Sequence, residues 1–412
     1  MSSRNYKWLV LLLLGGAYFF HQADRAIFGV LVPYIQSDLG LTDRQLGHIN
    51  TVLFLTIAAV TFVAGLLGDR LSRKWLITGS LMFWSLATTG LGFVGSYGAV
   101  LLLRSLATGG GESFYGPSAM SLIASYHKET RSFAFSLHQA ALYLGLMFSG
   151  VLALGAMGCL GTWRRVFMAF GIVGLLLGVA FVWLLRDCAA DRAGEAERAR
   201  PTLGASFRAY FTNPSALLAT TGFIAICCVN NTYITWAPKM FHQRFGVDGA
   251  WAGAHVMFFH HLVALAAILA GGWITDRLVR AHPRFRLGLQ IVALVLGGVA
   301  IAFIGRSPTF ASAVMMTAVY GLFRGLFEVN THASVFDVVP AEHRASVVGF
   351  MLLLAMGLGA LFSGELVGWL MERKGALAPA LCFDLMGVTY LVAAILMGVS
   401  FVWTFRRNRI RE

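Results

Sequence analysis

Charge is what this chain of 412 residues has least of, with Asp, Glu, Lys and Arg together supplying 12% of it. A soluble chain carries about 25%. With 58% of the residues hydrophobic, too much apolar surface would be left facing water. Cysteine is scarce as well. Cys159, Cys188, Cys227, Cys228 and Cys382 form no even framework and show no metal-ligand spacing, which argues against a disulfide scaffold or a structural metal. No phosphate-binding glycine loop is present, no His-Asp or Cys-His constellation lies beside a membrane face, and no polar segment is long enough to fold as a soluble domain. An integral-membrane enzyme and a self-contained ATP-driven pump are disfavoured by these absences, and no cofactor or metal is expected.

What the chain has instead is apolar runs long enough to span a bilayer, at roughly 20 residues each. Six fall near 8–36, 45–68, 75–95, 98–124, 131–156 and 164–186, and six more near 214–240, 250–275, 286–305, 309–337, 344–371 and 378–405. The first run has no small-residue cleavage site and continues into Asp24-Arg25, so it reads as a retained helix and not as a signal peptide. The polar stretch between the sixth and seventh runs divides the chain into an N-terminal six-helix bundle (1–186), a linker (187–213) and a C-terminal six-helix bundle (214–412). The fold class this predicts is all-α: twelve transmembrane helices in two pseudo-symmetric bundles around a central cavity.

The net charge of +13 belongs to topology and gives no reason to expect a nucleic acid partner. If the N-terminus is cytoplasmic, 21 of the 32 Lys and Arg fall in inside segments, eight outside and three within spans. The positive-inside rule then places both termini and the linker in the cytoplasm, which predicts a multi-pass protein of a cell inner membrane.

A repeat relates the two halves. Gly65-Leu66-Leu67-Gly68-Asp69-Arg70-Leu71-Ser72-Arg73-Lys74 follows the second run, and Gly272-Trp273-Ile274-Thr275-Asp276-Arg277-Leu278-Val279-Arg280 follows the eighth. Glycine, Asp-Arg and the later Arg recur 207 residues apart, from 65 to 272 and from 69 to 276. A loop selected only for orientation needs cations but has no reason to place Gly and Asp identically, and duplicated halves are a carrier's architecture. On this motif and on its twelve runs the chain resembles the major facilitator superfamily over essentially its whole length. The resemblance implies a gate motif at the cytoplasmic helix ends, made of Gly65, Asp69, Arg70, Arg73, Lys74, Gly272, Asp276 and Arg277.

Charged groups at bilayer depth cost ~2.5–3.5 kcal/mol each on insertion scales, so each asks for a role. His21-Gln22-Ala23-Asp24-Arg25 lies in the first run; Arg104 and Gly109-Gly110-Gly111-Glu112 lie in the fourth, with Pro117 beyond. A carboxyl buried in a low-dielectric span can be neutral in one state and ionised in another, and so can carry a proton. Arginine stays charged, and its fork suits a carboxylate or phosphate. Two branches of the superfamily are similar here. Spinster-like lipid transporters carry N-Y-x-D-R in the first span and R-G-L-x-G-x-G-E in the fourth; anion:cation symporters carry G-E-x-x-x-x-P, matched by Gly111-Glu112 through Pro117. The resemblance implies proton coupling at Asp24 and Glu112 and anion contacts at Arg25 and Arg104. The sequence departs from the branches twice: His21-Gln22 replaces Asn-Tyr, and Arg104 to Glu112 is one residue longer than either pattern. A buried ion pair, such as Asp24 with Arg104, is the competing reading of these charges.

Further candidates for lining a solute site are His138, Gln139, Asn230, Asn231, Tyr233, Arg324 and Glu328. Arg324, Glu328 and His332 stand at i, i+4 and i+8, spacing that favours an internal Arg–Glu pair. Asn231 lies 207 residues beyond Asp24. The expected function is a monomeric secondary transporter that works by proton-coupled alternating access. Its expected partners are a small-molecule substrate, an organic anion such as a sugar acid, together with protons and the lipid bilayer. The alternative is a spinster-like exporter of lysolipid or another amphiphile, to which the Gly68-Asp69-Arg70-Leu71-Ser72-Arg73-Lys74 loop also points.

Overall fold

The computed structural model describes residues 3–68, 72–127, 130–186, 202–282, 284–340 and 343–405. Among them, twelve helical rods follow the twelve apolar runs. Six are continuous in the first half or its successor: Ser3–Leu39, Asp43–Gly68, Arg73–Leu91, Arg131–Leu160, Trp163–Leu184 and Pro214–Phe245 are spans one, two, three, five, six and seven. Gly249–Ala281 and Phe285–Arg306 are spans eight and nine. The other four are assembled from shorter pieces in line: span four over 97–126, ten over 310–336, eleven over 344–374 and twelve over 378–404. Several rods outrun the apolar runs that predicted them. Span one has 37 residues, about 55 Å at the rise of an α-helix against ~30 Å of hydrocarbon, so its ends stand in the interfacial layers.

The chain divides into two compact units, one of residues 1–198 with 247–258, the other of 199–246 with 259–412. Within the first, span one packs along five and six, three along six and four, and two along four. Within the second, span seven packs along eleven and twelve, and nine along twelve and ten. The pairings 1·5, 1·6, 3·6 and 3·4 thus recur six spans later, so the repeat seen in the loop motif extends to packing. A close glycine-to-carbonyl approach occurs in each half, the glycines 212 residues apart and the carbonyls 207. A Cβ on Gly109 of span four would lie 3.2 Å from the carbonyl oxygen of Leu53, and one on Gly321 of span ten would lie 2.3 Å from that of His260. Leu53 and His260 are 207 residues apart.

Rows of large apolar side chains remain uncovered, among them Phe93, Leu176, Trp183 and Ile395, each at least 65% exposed. In water such rows would drive aggregation, whereas in lipid they need no partner. A short helix absent from the run pattern, Leu203–Phe211, precedes span seven; Thr202 caps its N-terminus and Tyr210 bonds to Thr220.

Candidate functional site

Span four is irregular where its chemistry lies. Leu101–Thr108 winds as a π-helix, and Thr108 Oγ1 donates to the carbonyl of Leu103, five residues back, at 2.9 Å. A π turn holds one residue more than an α turn. Arg104 lies within this stretch and faces inward at 2% exposure. The three glycines that follow have different neighbours. A Cβ on Gly109 would meet Leu53 of span two, and one on Gly111 would meet Phe83 and Trp84 of span three at 2.9 and 3.2 Å; one on Gly110 would meet nothing closer than 3.9 Å. Two of the three thus let neighbouring helices reach the backbone.

That close approach draws spans one, three and four around a buried polar layer. Asp24 Oδ2 accepts from Thr88 Oγ1 of span three at 2.8 Å, and Asp24 Oδ1 has no hydrogen-bond partner among the described residues. Arg104 donates Nη2 to the backbone carbonyl of Arg25 at 2.8 Å, while its Nε and Nη1 have no partner among the described residues. The Arg104 guanidinium lies over the ring of Phe28 at 4.9 Å and that of half-buried Arg25 over Phe54 at 4.5 Å. Both oxygens of Glu112 are buried without a hydrogen bond, and Oε2 lies 3.4 Å from Nε2 of His21. The buried pair of Asp24 with Arg104 is therefore not formed. Backbone and hydroxyl groups hold the two side chains instead, and each keeps unused hydrogen-bonding capacity. Such atoms are costly to bury unless something else meets them.

His138 of span five belongs to an aromatic group beside this layer. Its Nε2 lies 3.1 Å from the hydroxyl of Tyr115, which also donates to the carbonyl of Leu14 at 2.5 Å, and its ring stacks on Tyr18 at 4.4 Å. Gln139, about 100° further round the same helix, is exposed.

In the second unit, Arg324 Nη2 stands 3.0 Å from Glu328 Oε2, and Nη1 lies 3.3 Å from Nε2 of His260. The His260 ring packs against Tyr233 and Tyr320 at 4.6 and 4.7 Å. Arg324, Glu328 and Tyr233 are thus linked through a histidine. His332 does not continue the i, i+4, i+8 row, because the helix ends at Glu328 and resumes at Thr331, leaving His332 exposed beside Phe223. Asn231 is buried and Asn230 half-buried; Asn231 Nδ2 and Asn230 Oδ1 have no hydrogen-bond partner among the described residues, and Asn231 Nδ2 sits where a Cβ on Gly359 would be 3.2 Å away.

Of the loop motif, Asp69 and Arg70 lie outside the described residues, as does the side chain of Asp276. Gly65 is helical within span two. Arg73 Nη1 donates to Ser125 Oγ of span four at 2.8 Å and Lys74 Nζ to the carbonyl of Val182 of span six at 2.7 Å, so these two cations tie three helix ends together. Arg277 stacks on Trp273 at 3.8 Å, and Gly272 faces Val329. Thr88 and Lys239 escape the motif search, and His21 enters it only as a departure from the branch pattern. Thr88 and His21 carry no charge anomaly, and Lys239, which spacing counts among the outside cations, is 3% exposed within Pro214–Phe245 with Nζ 5.7 Å from the Trp236 ring. Lys239 follows Pro238 inside the 32-residue helix, five residues before Arg244, and only its burial distinguishes it from the cations at the helix end.

The Major Facilitator Superfamily profile matches residues 14–364. Human protein spinster homolog 1 is 27% identical over 411 residues, covering 92% of this chain and 77% of that one. The hexuronate transporter of Bacillus subtilis (strain 168) is 23% identical over 381 residues, covering 90% and 89%. The crystal structure of a bacterial homolog to the human lysosomal transporter spinster, inward-facing and unoccupied, superposes with a TM-score of 0.83 at 19% identity over 98% of this chain and 99% of that one.

Proposed function

We propose that this chain, which belongs to the major facilitator superfamily and is a multi-pass membrane transporter and not an enzyme, carries a small organic anion by proton-coupled alternating access. The observation that supports this is the polar layer of the first unit. It contains a buried guanidinium whose Nε and Nη1 have no hydrogen-bond partner among the described residues, and two buried carboxyls, Asp24 with Oδ1 and Glu112 with both oxygens likewise without a hydrogen bond there. An anion is what the free N–H groups of Arg104 suit, as guanidinium bonds to carboxylates are among the strongest in proteins. A proton is what the unmet oxygens of Asp24 and Glu112 suit. Arg25, with its carbonyl committed to Arg104, adds a second positive group beside Glu112. Resemblance to the hexuronate transporter supports a sugar acid as the cargo. His138, Gln139, Asn230, Asn231 and Tyr233 are candidate contacts for its neutral hydroxyls, and Arg324 with Glu328 serves as an internal pair. The protein functions as a monomer in a cell inner membrane, with both termini and the gate motif on the cytoplasmic side.

The test is uptake of radiolabelled D-glucuronate into proteoliposomes under an inward proton gradient. Uptake should follow the gradient in the parent protein and lose that dependence in Asp24→Asn and Glu112→Gln, while exchange of internal for external glucuronate persists. Gradient-independent uptake that ignores both substitutions would refute the reading. A lysolipid or another amphiphile is the second reading, favoured by the higher identity to human spinster homolog 1. It predicts that lysophosphatidylcholine thermally stabilises the purified protein while D-glucuronate does not.

A further inference from the structure

Resting on the reading of Glu112 as a proton-binding group, we infer that His21 is a positioning residue for that proton: a neutral imidazole, its tautomer set by Gln22, whose one N–H faces Glu112. The amide nitrogen of Gln22 lies 2.8 Å from His21 Nδ1. An amide nitrogen has only hydrogens to offer, so Nδ1 accepts, and the single proton of the neutral ring sits on Nε2. Nε2 then points its hydrogen toward Glu112 Oε2, 3.4 Å away, at the long end of hydrogen-bond reach and out of alignment.

Both atoms are buried and neither has another partner, His21 being 6% and Glu112 4% exposed. The imidazole is confined by Tyr18 and Tyr115, both near-parallel at 5.8 and 5.9 Å, and by the edge of Trp84 at 5.2 Å. A turn of the more flexible Glu112 side chain is therefore what brings the two into line. The titratable and charged groups facing this pair are Tyr18, Asp24 and Arg25 from span one, Arg104 and Tyr115 from span four, and His138 from span five. A neutral donor aimed at a carboxylate favours its ionised form over its acid. In this arrangement His21 sets the pH at which Glu112 takes up its proton, without taking the proton itself.

Difference infrared titration of the purified full-length protein tests this with no substrate, by following the carboxylic C=O band that Glu112→Gln removes. His21→Leu should move the midpoint of that band to higher pH by about one unit or more, a tenfold change in proton affinity that the loss of one hydrogen bond to a charged group accounts for. His21→Asn, which keeps an N–H donor, should recover at least half of that displacement. Gln22→Glu should move the midpoint the opposite way, because a carboxylate at Nδ1 turns His21 into a cation facing Glu112. Midpoints that stay put, or that move in one direction for both His21→Leu and Gln22→Glu, overturn the inference. If His21→Leu fails to fold, the direction found for Gln22→Glu decides alone. If Glu112→Gln removes no titrating band, the proton-binding reading itself is overturned.

Discussion

The guanidinium of Arg104 is held by the backbone carbonyl of Arg25, Nη2 to O at 2.8 Å, while the carboxylate of Asp24 one residue earlier turns to Thr88. A carbonyl takes one N–H and no charge, so the arginine is fixed in place and keeps its cation available. An ion pair with Asp24 would have neutralised it.

Arg104→Lys should therefore fail as a replacement. An ammonium on a flexible stem cannot both reach the Arg25 carbonyl and present further donors from a rigid fork. The expected result is a rise of about tenfold or more in the KM for D-glucuronate, ~1.4 kcal/mol of binding, in a protein whose thermal unfolding is nearly unchanged. Uptake kinetics in proteoliposomes check it.

The adjacent glycines of span four should respond oppositely to alanine. Gly111→Ala forces a methyl against the ring of Phe83 and the Cβ and backbone nitrogen of Trp84, and the backbone cannot yield. A loss of about 1–3 kcal/mol is expected. Gly110→Ala meets open space out to 3.9 Å and should be neutral or gain up to ~1 kcal/mol from helix propensity. Thermal unfolding in detergent separates the two.

The π turn offers a test by deletion. Removing Leu106, which is 47% exposed, restores the shorter Arg104-to-Glu112 spacing, and the π stretch should tighten into α-helix with both ends keeping their faces. Inserting one alanine into Tyr115–Tyr126 has no such reserve and should rotate all that follows by about 100°. The deletion should yield a monodisperse, glucuronate-responsive protein; the insertion should not.

Breaking the Arg324–Glu328 pair should cost more than removing both partners. Glu328→Gln leaves a 4% exposed guanidinium with His260 and a neutral amide, a loss of about 1–3 kcal/mol. Adding Arg324→Met should recover part of it, because the buried guanidinium left without its carboxylate is then gone. A double-mutant cycle on thermal stability reads the coupling.

Much of this molecule is visible in one dimension. Twelve apolar runs, an Asp-Arg pair and a Glu inside two of them, and a motif repeated after 207 residues are local or periodic properties. A bilayer translates such properties directly, because every span must satisfy its own backbone. Helix register is less readable. The tenth run looks continuous from 309 to 337, yet the helix stops at Glu328 and restarts at Thr331, so His332 leaves the row that spacing assigns it.

The sequence by itself determined that the chain is a two-halved, twelve-helix membrane protein, and which spans carry charge. Only the tertiary structure decided what those charges touch. Nothing in the order of residues says that Arg104 meets the carbonyl of Arg25, that Thr88 serves Asp24, or that His21 faces Glu112, because these atoms belong to different helices. Their distances depend on how closely the rods approach, which Gly109 and Gly111 set by omitting side chains on two sides of one helix. The extra residue before Glu112 is the clearest case. In the sequence it is a misfit of one position, and in three dimensions the span carries an eight-residue π-helical stretch, Leu101–Thr108, just before Glu112.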